Sequence, residues 1–163
     1  MKEVELSSEN VEPPPWMPDL ERVTHHVYAE LDREAWQVSV LLCNEERITE
    51  LNETYRKASG PTDVLTFSHH HDQDASPAQS SPGTAARPIS GDIAVALPVV
   101  EANATAYGVN TQEEFLRVFV HALLHLAGFT HDGMDLSSPK AADHPMLGLQ
   151  ERLVSELHKE HAS

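Results

Sequence analysis

Cysteine is almost missing from this chain: Cys43 stands alone, so no intramolecular disulfide can form and the fold must rest on its core. Cys43 sits in the apolar run Val38 to Cys43, where it reads as a small buried hydrophobe. Basic residues are scarce as well. Lys and Arg number 11 against 26 Asp and Glu, and the formal net charge of −15 sets up a field that repels polyanions. A non-specific nucleic-acid binder is excluded on this ground, DNA binding is not expected, and any RNA must be held locally. Long apolar runs are lacking too. Nothing approaches the roughly 20 residues a membrane span needs, so no membrane role is expected. Met1 to Asn10 carries Glu3, Glu5 and Glu9 against Lys2 alone, without the basic start and apolar stretch of a secretory signal. A cytoplasmic location is the expectation.

Hydrophobic residues make up 40% of 163, enough for one domain with a core of its own. Residues 1–15 are acidic and end in Pro13-Pro14-Pro15, which reads as an N-terminal extension, and the domain is expected over 16–163. Leu20, Val23, Val27 and Leu31 recur at helical spacing. Trp36 to Cys43 reads as a strand, and Asn44 as the cap of a helix to about Lys57 with Ile48, Leu51 and Tyr55 as its buried stripe. Asp63 to Phe67 reads as a short strand. From His69 to Pro88 the composition turns to Ser, Pro, Ala, Gln and Asp, which predicts a flexible insertion. Asp92 to Leu97 follows as a strand, then a short helix ended by Tyr107-Gly108. Thr111 to Glu114 has the capping-box pattern ahead of a buried helix to Ala127, stopped by Gly128. Met146 to His158 closes the chain as a helix with Leu147, Leu149, Leu153 and Leu157 inward. The fold class is α+β, with α/β-like alternation: about four strands in a small mixed sheet packed with about five helices, the metal site on the central buried helix.

That helix carries the chemistry. His121 and His125 lie four residues apart, so both imidazoles leave one face a turn apart and can share an ion. His131 follows the break at Gly128, giving H-x3-H-x5-H. Three nitrogen ligands leave a fourth tetrahedral position open, the mark of a catalytic zinc rather than a closed structural one. One divalent ion per chain, zinc by default, is the expectation, since such sites accept several first-row metals. Unrelated core histidines and a purely structural metal are the alternatives, with His144 and His158 the nearest further ligands. The spacing also resembles the metzincin protease signature. In those proteases a Glu after the first His activates water; here that position is Ala122. By itself Arg56 reads as half of a surface salt bridge ending the second helix.

His121-Ala-Leu-Leu-His125-Leu-Ala-Gly128-Phe-Thr-His131 resembles the metal motif of the YbeY family, bacterial endoribonucleases of ribosomal RNA maturation. Asn52-Glu-Thr-Tyr55-Arg56, then Pro61-Thr62-Asp63-Val64-Leu65-Thr66-Phe67, resembles the family segment in which an arginine precedes a cleft-lining strand, and Gly91-Asp92-Ile93 its next strand. The resemblance implies a metallo-endoribonuclease cutting single-stranded RNA, with His121, His125 and His131 on the metal and Arg56 and His121 catalytic. It also implies ribosomal RNA as substrate, and a ribosomal protein partner would supply RNA contacts that an acidic surface lacks. Asp63 and Asp92 read as structural. Two departures stand out: Thr130 where the family commonly has Asp, with Asp132 just after, and a longer loop opening on His69-His70-His71, read as a solvated tract. The competing readings are a metalloprotease-like hydrolase and a non-catalytic ribosome-assembly factor with a structural metal.

Overall fold

The computed structural model describes residues 2–55, 60, 62–69, 88–128 and 145–162, and at its centre lies the strand that the alternation in Trp36–Cys43 encodes. The element order is β1 (Lys2–Ser8), α1 (Leu20–Glu30), β2 (Trp36–Cys43), α2 (Glu45–Tyr55), β3 (Val64–Ser68), β4 (Ile89–Ala96), α3 (Leu97–Tyr107), α4 (Thr111–Leu126) and α5 (Pro145–Ala162). The sheet runs β1-β2-β4-β3, parallel across the first three strands, with β3 antiparallel to β4 at the edge. This is the expected α+β architecture.

Caps set the helix starts. Asp19 accepts from the backbone of Glu21 and Arg22 at 3.1 and 3.3 Å, and Asn44 from Arg47 at 2.8 Å, each satisfying donors a first turn leaves open. For α4 the cap is Asn110, not Thr111: its Oδ1 takes the Glu113 N–H at 2.8 Å, which makes Thr111 the first helical residue. Asn is at least as good a cap as Thr, so the site moved by one.

Three further expectations are corrected. Residues 2–8 are not an extension outside the domain: β1 pairs with β2 from Lys2↔Trp36 to Ser8↔Leu42. An edge strand needs little apolar surface, and charged edges deter further pairing, so Glu3 and Glu5 hid a strand. β4 begins at Ile89, earlier than Asp92, because Ile89, Ser90 and Gly91 continue the pairing with Trp36, Gln37 and Val38. Tyr55 is 66% exposed rather than inward, while Asn52 is buried with its amide donating to the Gly60 carbonyl at 3.0 Å. The expected insertion falls mostly on residues 70–87, outside the described residues.

One face of the sheet carries α1, α4 and α5 over the larger core, which includes Val27, Tyr28, Val40, Ile93, Phe119 and Leu123. The other face carries α2 over a smaller cluster of Cys43, Ile48, Leu65, Ala94 and Ala96. Cys43 is buried as expected, and burial pushes its thiol up to about 11. Gly91 lets α4 sit close: a Cβ there would lie 2.5 Å from Leu126 Cδ2 and 2.8 Å from the Phe67 carbonyl. Among the described residues no helix is long and apolar enough to cross a membrane.

Candidate active site

His121 and His125 occupy successive turns of α4 on the side away from its fully buried stripe, which takes Leu116, Phe119, Val120 and Leu123. Their half-buried rings meet edge to face with centroids 4.6 Å apart, and the two Nε2 atoms stand 3.0 Å apart. The backbone beneath is tied down, because Tyr28 of α1 donates its hydroxyl to the Leu123 carbonyl at 2.8 Å. Burial pushes the Tyr28 phenol far above its usual range, so it stays a donor at any ordinary pH.

The other nitrogen of His121 has a partner that sequence reasoning missed. Gln150 of α5, 6% exposed, lies with Oε1 2.7 Å from His121 Nδ1. Its Nε2 donates to Glu151 at 3.1 Å, and Glu151 in turn receives Arg117 through Nε at 2.9 Å and Nη2 at 3.0 Å. Arg117 also reaches Glu114 at 3.2 Å. A signal was present: Met146, Gln150, Leu153 and Leu157 are the buried stripe of α5, and Gln150 is the one polar step in it. Of the expected inward leucines, Leu153 and Leu157 are buried, Leu149 is half-buried against the same core, and Leu147 is half-buried.

Two nitrogens on a tetrahedral zinc at about 2.0–2.1 Å would lie roughly 3.3 Å apart, so the spacing of the His121 and His125 Nε2 atoms suits a shared ion. With Nδ1 engaged by Gln150, Nε2 is the His121 nitrogen that faces that point. Among the described residues no group of three or more His, Cys, Asp or Glu is placed to hold a metal. His131 and Arg56, with Thr130, Asp132, His144 and most of the loop histidines, lie outside the described residues. His158 does not approach the pair; it faces Glu113, two turns back along α4, at 3.9 Å. Asp63 precedes β3, where burial pushes its carboxyl up against the opposing pull of backbone hydrogen bonds. Its carbonyl accepts from Ala96 at 2.9 Å, in keeping with a structural part. Asp92 lies on the opposite face of the sheet, bonded to His69 at 3.0 Å.

A profile of the family described as endoribonuclease YbeY matches residues 4–158. The chain belongs to the endoribonuclease YbeY family. Endoribonuclease YbeY of Treponema pallidum (strain Nichols) is 35% identical over 161 residues, covering 96% of this chain and 90% of that protein. Endoribonuclease YbeY of Borrelia hermsii is 32% identical over 126 residues, covering 77% and 76%. The solution structure of TM1509 from Thermotoga maritima superposes with a TM-score of 0.62 at 26% identity, covering 96% of this chain and 90% of that one. The YbeY match thus takes in most of β1, the strand that the charged N-terminus concealed, together with α4 and most of α5.

Proposed function

We propose that this chain is a metal-dependent endoribonuclease that cleaves single-stranded RNA, ribosomal RNA above all, during ribosome maturation in the cytoplasm. The observation that carries the reading is the convergence of the His121 and His125 Nε2 atoms at 3.0 Å on one face of α4, in a chain of the YbeY family. In this reading His131 would complete the ligand set with His121 and His125, and the zinc they would hold would supply Lewis acidity to a water and to a phosphoryl oxygen. Arg56 grips the phosphate through its planar fork and stabilises the charge developing at phosphorus. His121 and His125 orient the site from a rigid helix, and the Tyr28 bond to Leu123 fixes the turn between them. Single-stranded RNA suits the reading because an exposed phosphodiester reaches a cleft closed to a duplex.

Ala122 is fully buried, so the position that supplies the general base in metzincins faces the core here. That disfavours proteolysis. The net charge of −15 makes the RNA contacts local, and a ribosomal protein partner would add what the surface lacks. The test is metal content of the tag-free protein beside cleavage of a labelled single-stranded RNA by wild type, Arg56→Ala and His125→Ala. The expected result is about one ion per chain, with cleavage lost in both variants while folded Arg56→Ala keeps its metal. Unimpaired cleavage by Arg56→Ala, or a wild type that neither holds metal nor cleaves, would replace the nuclease by an assembly factor.

A further inference from the structure

We infer that Gln150 is a positioning residue for His121, holding its imidazole in the Nδ1–H tautomer so that the Nε2 lone pair faces His125. The hydrogen-bond network dictates the direction of each bond. A glutamate carboxylate only accepts, so the Gln150 nitrogen faces Glu151, at 3.1 Å, and its oxygen faces His121. An amide oxygen also only accepts. At 2.7 Å the His121 Nδ1 must therefore carry the proton, and a neutral ring then leaves Nε2 bare toward His125.

The glutamine is itself held. Its site is 6% exposed, so an amide without partners there would be costly, and rotation would set its NH2 against the Nδ1–H. Glu151, though half-exposed, receives two guanidinium nitrogens of Arg117 in a bidentate fork, and buried Glu114 holds Arg117 from its other side at 3.2 Å. The orientation of one imidazole thus rests on a chain of bonds from α4 to α5 and back. Neutral histidine needs such a partner because its two tautomers are otherwise close in energy, and only one presents Nε2 to a cation.

The metal half of this inference rests on the proposed ion site; the tautomer half does not, and the experiment separates them. In metal-free protein, at a pH where imidazole is neutral, the nitrogen-15 shifts of His121 report its tautomer, the signals assigned by their loss in His121→Gln. Zn2+ affinity is measured by competition with a chromogenic chelator, and circular dichroism confirms folding. Wild type is expected to show protonated Nδ1. Gln150→Met, which keeps the volume without an acceptor, is expected to mix the tautomers and lose about 10–100-fold in Zn2+ affinity. Gln150→Glu keeps an acceptor oxygen and is expected to hold the tautomer and most of the affinity. A wild-type His121 protonated on Nε2, or a folded Gln150→Met with unchanged tautomer and affinity, overturns the inference. Protonated Nδ1 in a wild type that binds no Zn2+ overturns the ion site and leaves the positioning role standing.

Discussion

His121 and His69 each bridge two polar partners, yet they occupy opposite faces of one sheet in opposite surroundings. His121 reaches Gln150 and His125 from a rigid helix, and its glutamine is buried and braced by Arg117 and Glu151. His69 lies just past β3 with Nδ1 2.7 Å from Ser90 Oγ and Nε2 3.0 Å from Asp92. Read as distances alone, that is a serine, histidine and carboxylate in hydrogen-bond contact, beside a cavity of about 450 Å³ lined by Ser39, Leu41, Leu51, Tyr55, Phe67 and Asp92. But the His69 and Asp92 side chains are 49% and 51% exposed, so water competes for every bond. The difference lies at Gln150: a short distance fixes a geometry where a buried amide has no water to turn to, and less so where both members face solvent.

The two clusters can be driven apart through the strand beneath them. Gly91 follows Ser90 and precedes Asp92, while its open side admits Leu126, the neighbour of His125. Gly91→Val would thrust a side chain against Leu126 and against the Phe67 carbonyl, which cannot rotate away. The expected cost is about 3 kcal/mol, the upper end for overpacking, read from urea unfolding. Zn2+ affinity should fall with it as α4 is pushed off the sheet. Should α4 absorb the change at no cost, the close seat of the histidine helix would not be what fixes the pair.

The bracing itself can be removed. Arg117→Met leaves Glu114, 4% exposed, and Glu151 without their cation, at an expected cost of about 1–2 kcal/mol near neutral pH. The pH dependence carries a sign. Burial pushes Glu151 up, but the bonds from Arg117 and Gln150 outweigh it and hold the carboxyl below its usual range. Its contribution is therefore present above the ordinary glutamate value of about 4.3 and lost as pH falls through the lowered one. Burial pushes Glu114 the other way, so it surrenders its charge earlier in acid. The gap between wild type and Arg117→Met should thus shrink from about pH 7 to about pH 3. A gap of constant size would mean that the arginine acts through packing of its stem rather than through charge.

What was legible followed the range of each cause. The His121 and His125 pair, the Asn44 cap and the stop at Gly108 depend on residues within a turn of each other, and the structure has each of them where the sequence places it. Gln150 is 29 residues from His121, and only the packing of α5 on α4 brings them together. β1 escaped because its partner lies 34 positions on, and an edge needs no apolar pattern of its own. Tyr55 was misread for a related reason: its ring settles edge-on to Phe67 of β3 at 5.7 Å and stays 66% exposed, a tertiary contact that helical spacing does not reveal. Arg56, whose role came from resemblance to a family, and His131, read as a ligand from its spacing after Gly128, lie beyond the described residues.

The smallest effect is expected at the cluster that looks most like a catalytic group. His69→Ala removes bonds to Ser90 and Asp92 at once, but both partners are open to water, which replaces what is lost. An exposed pair of this kind is worth about 0–1 kcal/mol, and the backbone bond from His69 N–H to the Ser90 carbonyl at 3.0 Å survives the substitution. Urea unfolding should therefore move by less than about 0.5 kcal/mol, and RNA cleavage should stay at the wild-type rate. Asp92→Asn should behave likewise. Loss of cleavage in a folded His69→Ala would reverse the comparison, because the exposed imidazole would then contact substrate, and the cavity beside Tyr55 and Phe67 would become the place to look for RNA.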